Sequence, residues 1–417
     1  MKYAVVTFGC RVNQSDSLQV EERLLASGAS AAPVECADLV VVNTCSVTAT
    51  ADQGARQTIR RIARDNPGAR IVVTGCYATR RPDEIAALPN VARVVCNDDK
   101  PRLLNLISSF HDGPCGGAIV PGVAGRTAYT LRVQTGCAEP CSYCIIPATR
   151  GAPRSAAPDD VLRDVAGAAA AGFKEIVLTG VHLGSYGRDL EPRTSLAALL
   201  RRLGDRGAAS DGERMLFRIS SLEPMDCSGE IVDLVAASRC FAPHFHLPLQ
   251  HASNRVLAAM RRPYTIEYYA ALADDIRARM PHASIGSDVI VGFPGETDED
   301  FDALAAYLDR SPLTHLHVFP YSDRPGTAAS TLGGRAPGAV VRERARRVRE
   351  IGRSLTERFH AAQVGATHDA LTLEDGSIAV TGNYLKLRIP PGRSRNEWVR
   401  VRVASAEPLS GVVVEMR

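Results

Sequence analysis

Three cysteines at C-x3-C-x2-C spacing constrain this chain more than any other feature. They are Cys137, Cys141 and Cys144, within Thr135-Gly136-Cys137-Ala138-Glu139-Pro140-Cys141-Ser142-Tyr143-Cys144. The spacing is too tight for three separate elements, so one loop must present three thiols to one point. A cubane [4Fe–4S] cluster takes four ligands, so a three-Cys loop leaves one iron open to a small molecule. A structural zinc site is normally closed by a fourth Cys or His, and the flanking histidines in sequence are distant, His111 and His182. The competing readings are a zinc loop with a remote fourth ligand, or buried thiols packing as small hydrophobes.

A second trio is scattered in sequence but not in the pattern. Apolar runs at Tyr3–Phe8, Leu39–Val42, Ile71–Thr74 and Arg93–Val95 alternate with helical segments at Asp16–Ala26 and Asp52–Arg64. That alternation predicts a small open parallel α/β sheet. Cys10 follows the first strand, Cys45 the second and Cys76 the third. Loops beyond the C-terminal ends of parallel strands share one edge, so the topology brings these three thiols together. Cys96 after the fourth strand is a competitor; Cys36 and Cys115 are left as structural. Scattered buried thiols are the alternative.

A Gly/Pro-rich stretch around His111–Gly117 and Pro121–Gly125 marks a boundary. Beyond it strands are expected at Leu131–Gln134, Glu175–Thr179, Leu216–Ser220, His244–Leu249, Ile285–Val291 and His315–Phe319, with helices such as Asp159–Ala171 and Ile266–Met280 between them. Six βα repeats predict a partial (β/α)6 barrel with its chemistry at the C-terminal face, where the three-Cys loop lies. His182, His244 and His246 are expected to be satisfied barrel residues, and His251 receives no role. Arg335 to Gln363 carries eight arginines and three glutamates around a helical apolar stripe. It suits a helix covering the barrel as well as an RNA contact. The tail then alternates like five short antiparallel strands, which predicts a small β-barrel. Asn383–Arg402 holds six basic residues and one acid, with Tyr384 and Trp398 interleaved, a pattern suited to phosphates and base stacking. The expected units are therefore 1–112, 126–362 and 363–417.

The cysteine loop resembles that of the radical S-adenosylmethionine (SAM) superfamily, in which SAM chelates the open iron. With the N-terminal three-Cys α/β domain before it, the chain resembles the methylthiotransferase family over essentially its whole length. The segment Thr7-Phe8-Gly9-Cys10-Arg11-Val12-Asn13-Gln14 is closest to the branch acting on N6-threonylcarbamoyladenosine in tRNA. The resemblance implies two [4Fe–4S] clusters, one on Cys10, Cys45 and Cys76 and one on Cys137, Cys141 and Cys144. It implies SAM contacts at Tyr143, Thr179, Gly180, Ser220, Glu223, Ile290 and Gly292, and a TRAM-like RNA-binding tail. Candidate RNA contacts are Arg150, Lys386, Arg388, Arg393, Arg395 and Trp398; Arg150 suits a solvated arginine equally. The implied reaction inserts a methylthio group at C2 of adenosine-37. One SAM supplies a 5′-deoxyadenosyl radical for the hydrogen, and a second methylates sulfur held at the N-terminal cluster. The partners implied are a tRNA anticodon stem-loop and an electron donor such as flavodoxin or ferredoxin.

Other readings stay open on the sequence. The enzyme could act on isopentenyladenosine-37 or on a ribosomal protein, or the chain could be a zinc-stabilised RNA-binding protein. A cobalamin enzyme is disfavoured because the first domain lacks an Asp-x-His-x-x-Gly motif. A formal charge of only +3 means that any nucleic-acid contact rests on a local patch. Eleven cysteines with no export signal point to a reducing, cytoplasmic setting and metal ligation. No run reaches membrane-span length, and a monomer is plausible.

Overall fold

Five parallel strands build the N-terminal sheet: β1 Lys2–Thr7, β2 Ser30–Ala31, β3 Leu39–Thr44, β4 Arg70–Gly75 and β5 Val91–Val95. Their order is β2-β1-β3-β4-β5, the expected four with a two-residue edge strand added. This computed structural model describes residues 1–103, 119–122, 126–209 and 214–414. The expected boundary around His111–Gly117, Cys115 within it, and Glu415 lie outside those residues. β3 reads Leu-Val-Val-Val-Asn-Thr and is buried throughout, as a central parallel strand covered on both faces should be. Helix α1 Arg11–Ala26 begins five residues before the expected Asp16, because Val12 and Asn13 are already buried against the sheet. Helix α2 spans Ala49–Asp65, with the Thr48 side chain capping the Ala51 N–H.

The first barrel strand begins two residues earlier than expected and splits in two. β6 Tyr129–Arg132 stays in the barrel, while β7 Gln134–Thr135 pairs antiparallel with β8 Arg154–Ser155. The rest of the wall is β9 Glu175–Thr179, β10 Leu216–Ile219, β11 His244–His246, β12 Ser284–Val291 and β13 His315–Pro320. Parallel bridges Phe217–Phe241 and Ser221–His246 join the two three-stranded sheets. The wall therefore runs β6-β9-β10-β11-β12-β13 as six parallel strands. It does not close. α1 lies along β6 at the open seam, where Ser15 Oγ accepts from the Arg132 N–H (3.1 Å) and Tyr129 Oη donates to Glu22 (2.9 Å).

Along β11 to β13 the side chains divide between two faces. Phe245, Ile285 and Val289 enter the large core under the outer helices. Strand alternation then sends His244, His246, Asp288, His315 and His317 to the lumen. Burial, and then the neighbouring histidines, depress His315 to about 4, and burial with Arg218 pushes His244 down as well. Between pH 6.5 and about 4 the unfolded chain binds protons that these folded imidazoles refuse, so stability falls as pH falls through that window. Each such group contributes roughly 1.4 kcal/mol per pH unit. Melting at pH 7.5 and 5.5 should show a drop that is smaller in His315→Gln; equal drops would refute the assignment.

The helix Gly338–Gln363 packs Val348 and Leu355 inward, as its stripe predicted, and covers β13. The tail is a closed barrel of β14 Thr367–Leu373, β15 Ile378–Thr381, β16 Lys386–Arg388, β17 Trp398–Ala406 and β18 Leu409–Val414, in order β14-β15-β16-β18-β17. It is fastened to the (β/α) wall by polar contacts. Asn383 Nδ2 donates to the His282 carbonyl (2.8 Å), Arg218 to the Gly382 carbonyl (2.5 Å), and Trp398 Nε1 to the Arg214 carbonyl (3.1 Å). Tyr384 reaches the lumen, with the Arg218 guanidinium 3.7 Å from its ring centroid and His244 edge-on at 4.5 Å.

Candidate functional site

Cys10 caps α1 without using its thiol for a hydrogen bond. Cys45 ends β3, and Cys76 opens the short helix α3 Cys76–Arg80 directly after β4. Backbone geometry forces them together. Gly9 has φ +89, and a Cβ there would stand 2.5 Å from that of Cys45; Gly75 has φ +101, and a Cβ there would meet the Thr44 carbonyl oxygen at 2.2 Å. Only glycine supplies both the left-handed turn and the close approach. Burial, with Cys10 and Cys76 nearby, pushes the Cys45 thiol up to about 12. Asn97 Nδ2 lies 3.8 Å from Cys76 Sγ, and the Arg150 guanidinium hydrogen-bonds the same thiol. Cys96 instead feels Asp99 and Asp98, and Cys36 is exposed before β3; neither joins the trio.

The second trio sits on the loop after β7. Burial, with Cys141 and Cys137 close by, pushes Cys144 up to about 12. Arg262 donates to Cys141 Sγ at 3.2 Å and to Tyr264 Oη at 3.1 Å, and also holds the Glu223 carboxylate. The Glu139 N–H points at Cys137 Sγ, 3.4 Å away. His182 stands over Cys137 with its Nε2 2.7 Å from Asp226. Burial opposes its charge, but bonds to Asp226 and Cys137 prevail and raise it to about 10. His182 is thus a partner of the cysteine loop and not only a satisfied barrel residue, which corrects the sequence reading.

Neither trio is drawn in as tightly as a single ion requires. Among the described residues, the one group of three or more His, Cys, Asp or Glu whose ligand atoms lie within 4.8 Å is His246, Asp288 and His317. Four sulfurs about 2.3 Å from one zinc would stand about 3.8 Å apart, whereas sulfurs on different irons of a cubane stand farther apart. Three thiols per set, not closed around a single ion, are the donor chemistry that an iron–sulfur cluster with one open iron would take. His246 and His317 both face one Asp288 oxygen, at 2.9 and 3.1 Å, so that group is a satisfied hydrogen-bond cluster.

A cavity of about 170 Å³ opens beside Cys144. Val47 and Thr48 line it from the N-terminal side, Tyr143 and Cys144 from the cluster loop, and Ile290 and Phe319 from the barrel. Thr179 and Ser220 are buried side by side, Oγ to Oγ at 3.2 Å. Gly180 packs on Gln134. The Gly292 N–H donates to Glu296 at 2.8 Å. Of the expected SAM contacts, Tyr143 and Ile290 thus share the cavity, while Glu223 and Gly292 are engaged by Arg262 and Glu296. The reading of single residues missed Arg262, Asp288 and Phe319. An aromatic next to the C-terminal end of a barrel strand was the available signal for Phe319.

One candidate RNA contact is corrected, and two others are engaged within the chain. Arg150 is 3% exposed and bonds Asn13 Oδ1 at 2.5 Å and Asp16 at 3.1 Å, so no phosphate can reach it. Arg395 donates to the carbonyls of Glu374 and Gly122. Trp398 carries the Arg214 guanidinium 4.6 Å from its ring centroid, which covers one stacking face. Arg393 pairs with Glu397 at 2.9 Å, whereas Lys386 and Arg388 remain exposed on β16.

Residues 2–97 match the family described as "Uncharacterized protein family UPF0004", and residues 131–308 match the "Radical SAM superfamily". The "Threonylcarbamoyladenosine tRNA methylthiotransferase MtaB" of Aquifex aeolicus is 35% identical over 97% of this chain and 100% of its own. The protein of the same name from Bacillus subtilis is 37% identical over 91% of this chain and 88% of its own. A "tRNA-2-methylthio-N(6)-dimethylallyladenosine synthase" of Corynebacterium efficiens is 33% identical over 90% and 75%. Among solved structures, the radical SAM methyltransferase TsrM of Kitasatospora setae superposes with TM-score 0.53 at 18% identity, over 70% of this chain and 64% of that one. The cobalamin-dependent radical enzyme OxsB gives 0.51 at 12%, over 85% and 56%. At these identities the two superpositions establish the fold alone.

Proposed function

Because this chain belongs to the radical SAM tRNA methylthiotransferases of the MtaB type, we propose that it carries two [4Fe–4S] clusters and uses two molecules of SAM to place a methylthio group at C2 of N6-threonylcarbamoyladenosine-37. The observation that carries this is the pair of three-thiol sets, one at the C-terminal edge of the N-terminal sheet and one on the loop after β7, with Cys144 and the Val47–Thr48 turn beyond Cys45 lining one cavity. Cys137, Cys141 and Cys144 would hold the cluster that binds SAM, and Cys10, Cys45 and Cys76 the one that carries sulfur. When bound, these groups supply a carbon-centred radical for the C2 hydrogen and a methylated sulfur for its replacement. The chain's own residues do the positioning. Arg262 directs positive charge at Cys141 and orients Glu223, one of the expected SAM contacts. Tyr143 and Ile290 make an apolar wall with Phe319, which suits stacked adenines and excludes water. Thr179, Gly180, Ser220 and Gly292 lie around the same barrel mouth.

The tRNA anticodon stem-loop is the proposed partner, with flavodoxin or ferredoxin as electron donor. No helix among the described residues is long and apolar enough to cross a membrane, and a cytoplasmic location accompanies the tRNA substrate. The working division into 1–112, 126–362 and 363–417 follows the five-stranded sheet, the six-stranded wall and the closed C-terminal barrel. Lys386 and Arg388 are the phosphate contacts that the exposed surface favours. Replacing both by alanine should weaken tRNA binding and lower the salt dependence of log K by about 2; an unchanged slope would remove them from the interface. The reading as a whole is tested by anaerobic reconstitution with SAM, reductant and tRNA, followed by nucleoside mass spectrometry. A mass gain at threonylcarbamoyladenosine supports it, and a gain confined to isopentenyladenosine or a ribosomal peptide refutes it.

A further inference from the structure

Arg11 is the first residue of α1 and the neighbour of Cys10, yet its side chain turns to the barrel lumen. It bonds the Tyr384 hydroxyl and lies 5.7 Å from that ring's centroid. Its charge is felt at His244 and His317. No carboxylate pairs with it among the described residues, in contrast to the buried arginines 150, 218, 262, 324 and 344, each of which holds an acid. Nor does α1 carry an acidic residue in its first turn. A cation at the positive end of a 16-residue helix is unfavourable without a counter-charge. Arg11 thus brings the lumen a cation with no acid partner among the described residues, while Asp288, which also faces the lumen, is held by His246 and His317.

The position of that potential gives it a use. Asp288 lines the cavity with Ile290 and Phe319 above it. His317 is its register neighbour across β12 and β13 and bonds Asp288 through Nδ1 at 3.1 Å, and its Nε2 has no hydrogen-bond partner among the described residues. A purine against Ile290 and Phe319 can extend a substituent down this face toward His317 and Arg11.

We propose that Arg11, with His317, forms an anion subsite that receives the carboxylate of the threonyl substituent on the substrate adenosine. This rests on the reading of threonylcarbamoyladenosine as substrate. A dimethylallyl group, which is neutral and apolar, gains nothing there and would leave Arg11 desolvated and unpaired. The subsite therefore selects by rejection as well as by attraction.

The test uses the reconstituted holoenzyme and anticodon stem-loops carrying threonylcarbamoyladenosine, its methyl ester or unmodified adenosine. Wild type should bind the free acid most tightly. Arg11→Gln should lose on the order of ten- to hundredfold for the acid, bind the ester as wild type does, and keep its iron content and visible absorbance. Arg11→Lys should retain part of the preference. Equal losses on acid and ester, or loss of iron, would mean that Arg11 serves the Cys10 site and would overturn the subsite. Undiminished discrimination in Arg11→Gln overturns it also. A wild-type enzyme that leaves threonylcarbamoyladenosine tRNA unmodified overturns the substrate reading first, before any substitution is made.

Discussion

A Cys45→Ala enzyme is expected to lose methylthiolation of tRNA by a thousandfold or more, on the order seen when one member of an interdependent catalytic set is removed, while it still cleaves SAM. Cys45 is buried, 6% exposed, and its Cβ is pressed against Gly9. Cys96 follows β5, outside the trio's three loops, and Cys36 is exposed before β3. The loop of Cys137, Cys141 and Cys144 is held by Arg262 and by His182, which come from the barrel and not from β1, β3 or β4. It should therefore survive the change. The measurement pairs nucleoside mass spectrometry with chromatography of 5′-deoxyadenosine. The reverse variant, Cys141→Ala, should lose both products. If Cys45→Ala abolishes SAM cleavage to the same extent, the two sites are not separable and the division of labour is wrong.

The second large effect concerns stability. Asp16→Ala should destabilise the fold by about 3–5 kcal/mol, the range for breaking a buried ion pair from one side. The Asp16 carboxylate, 3% exposed, meets Lys100 Nζ at 2.6 Å, Arg150 at 3.1 Å and Arg132 at 3.3 Å. These come from beyond β5, from the cluster loop's following helix and from β6, so one acid ties the N-terminal sheet to the barrel. Burial opposes its ionisation, but Lys100, Arg150 and Arg132 hold its pKa well below the usual carboxylate range. Its contribution is thus complete at neutral pH and disappears only as pH falls below the ordinary carboxylate value. Without it, three cations face one another out of water. Thermal melts and limited proteolysis at pH 7 would show the loss. A melting temperature within a degree or two of wild type would mean that water reaches those cations and that the junction is not sealed.

Much of this architecture is legible from local pattern. Strand–helix alternation places Cys10, Cys45 and Cys76 at one sheet edge without any distance information, and C-x3-C-x2-C can hardly do other than converge. The C-terminal strands alternate clearly enough to yield a barrel. What escapes is every contact made between distant polar side chains. Arg150 looks solvent-seeking in a list of residues, and only the fold reveals Asn13 and Asp16 waiting for it some 134 to 137 positions away. Arg344 sits in a strongly basic helix yet is buried on Glu296 at 2.5 Å. Trp398 satisfies the composition expected of a stacking residue, but a guanidinium from the barrel already occupies its face. Charge pairing has no periodicity, so neither helical nor strand spacing reports it.

The fastening of the C-terminal barrel has a geometric corollary. Tyr384 is held by Arg11 and Arg218, Asn383 by the His282 carbonyl, and Asn396 Nδ2 donates to the Gly172 carbonyl at 2.7 Å, so the tail is pinned at widely spaced points. It cannot swing like a tethered clamp. Lys386 and Arg388 therefore stand at a constant reach from the cavity, and under the proposed function a nucleic acid gripped there would be measured as if by calipers: a loop whose target base lay a nucleotide nearer or farther would arrive out of position, however well its backbone was held.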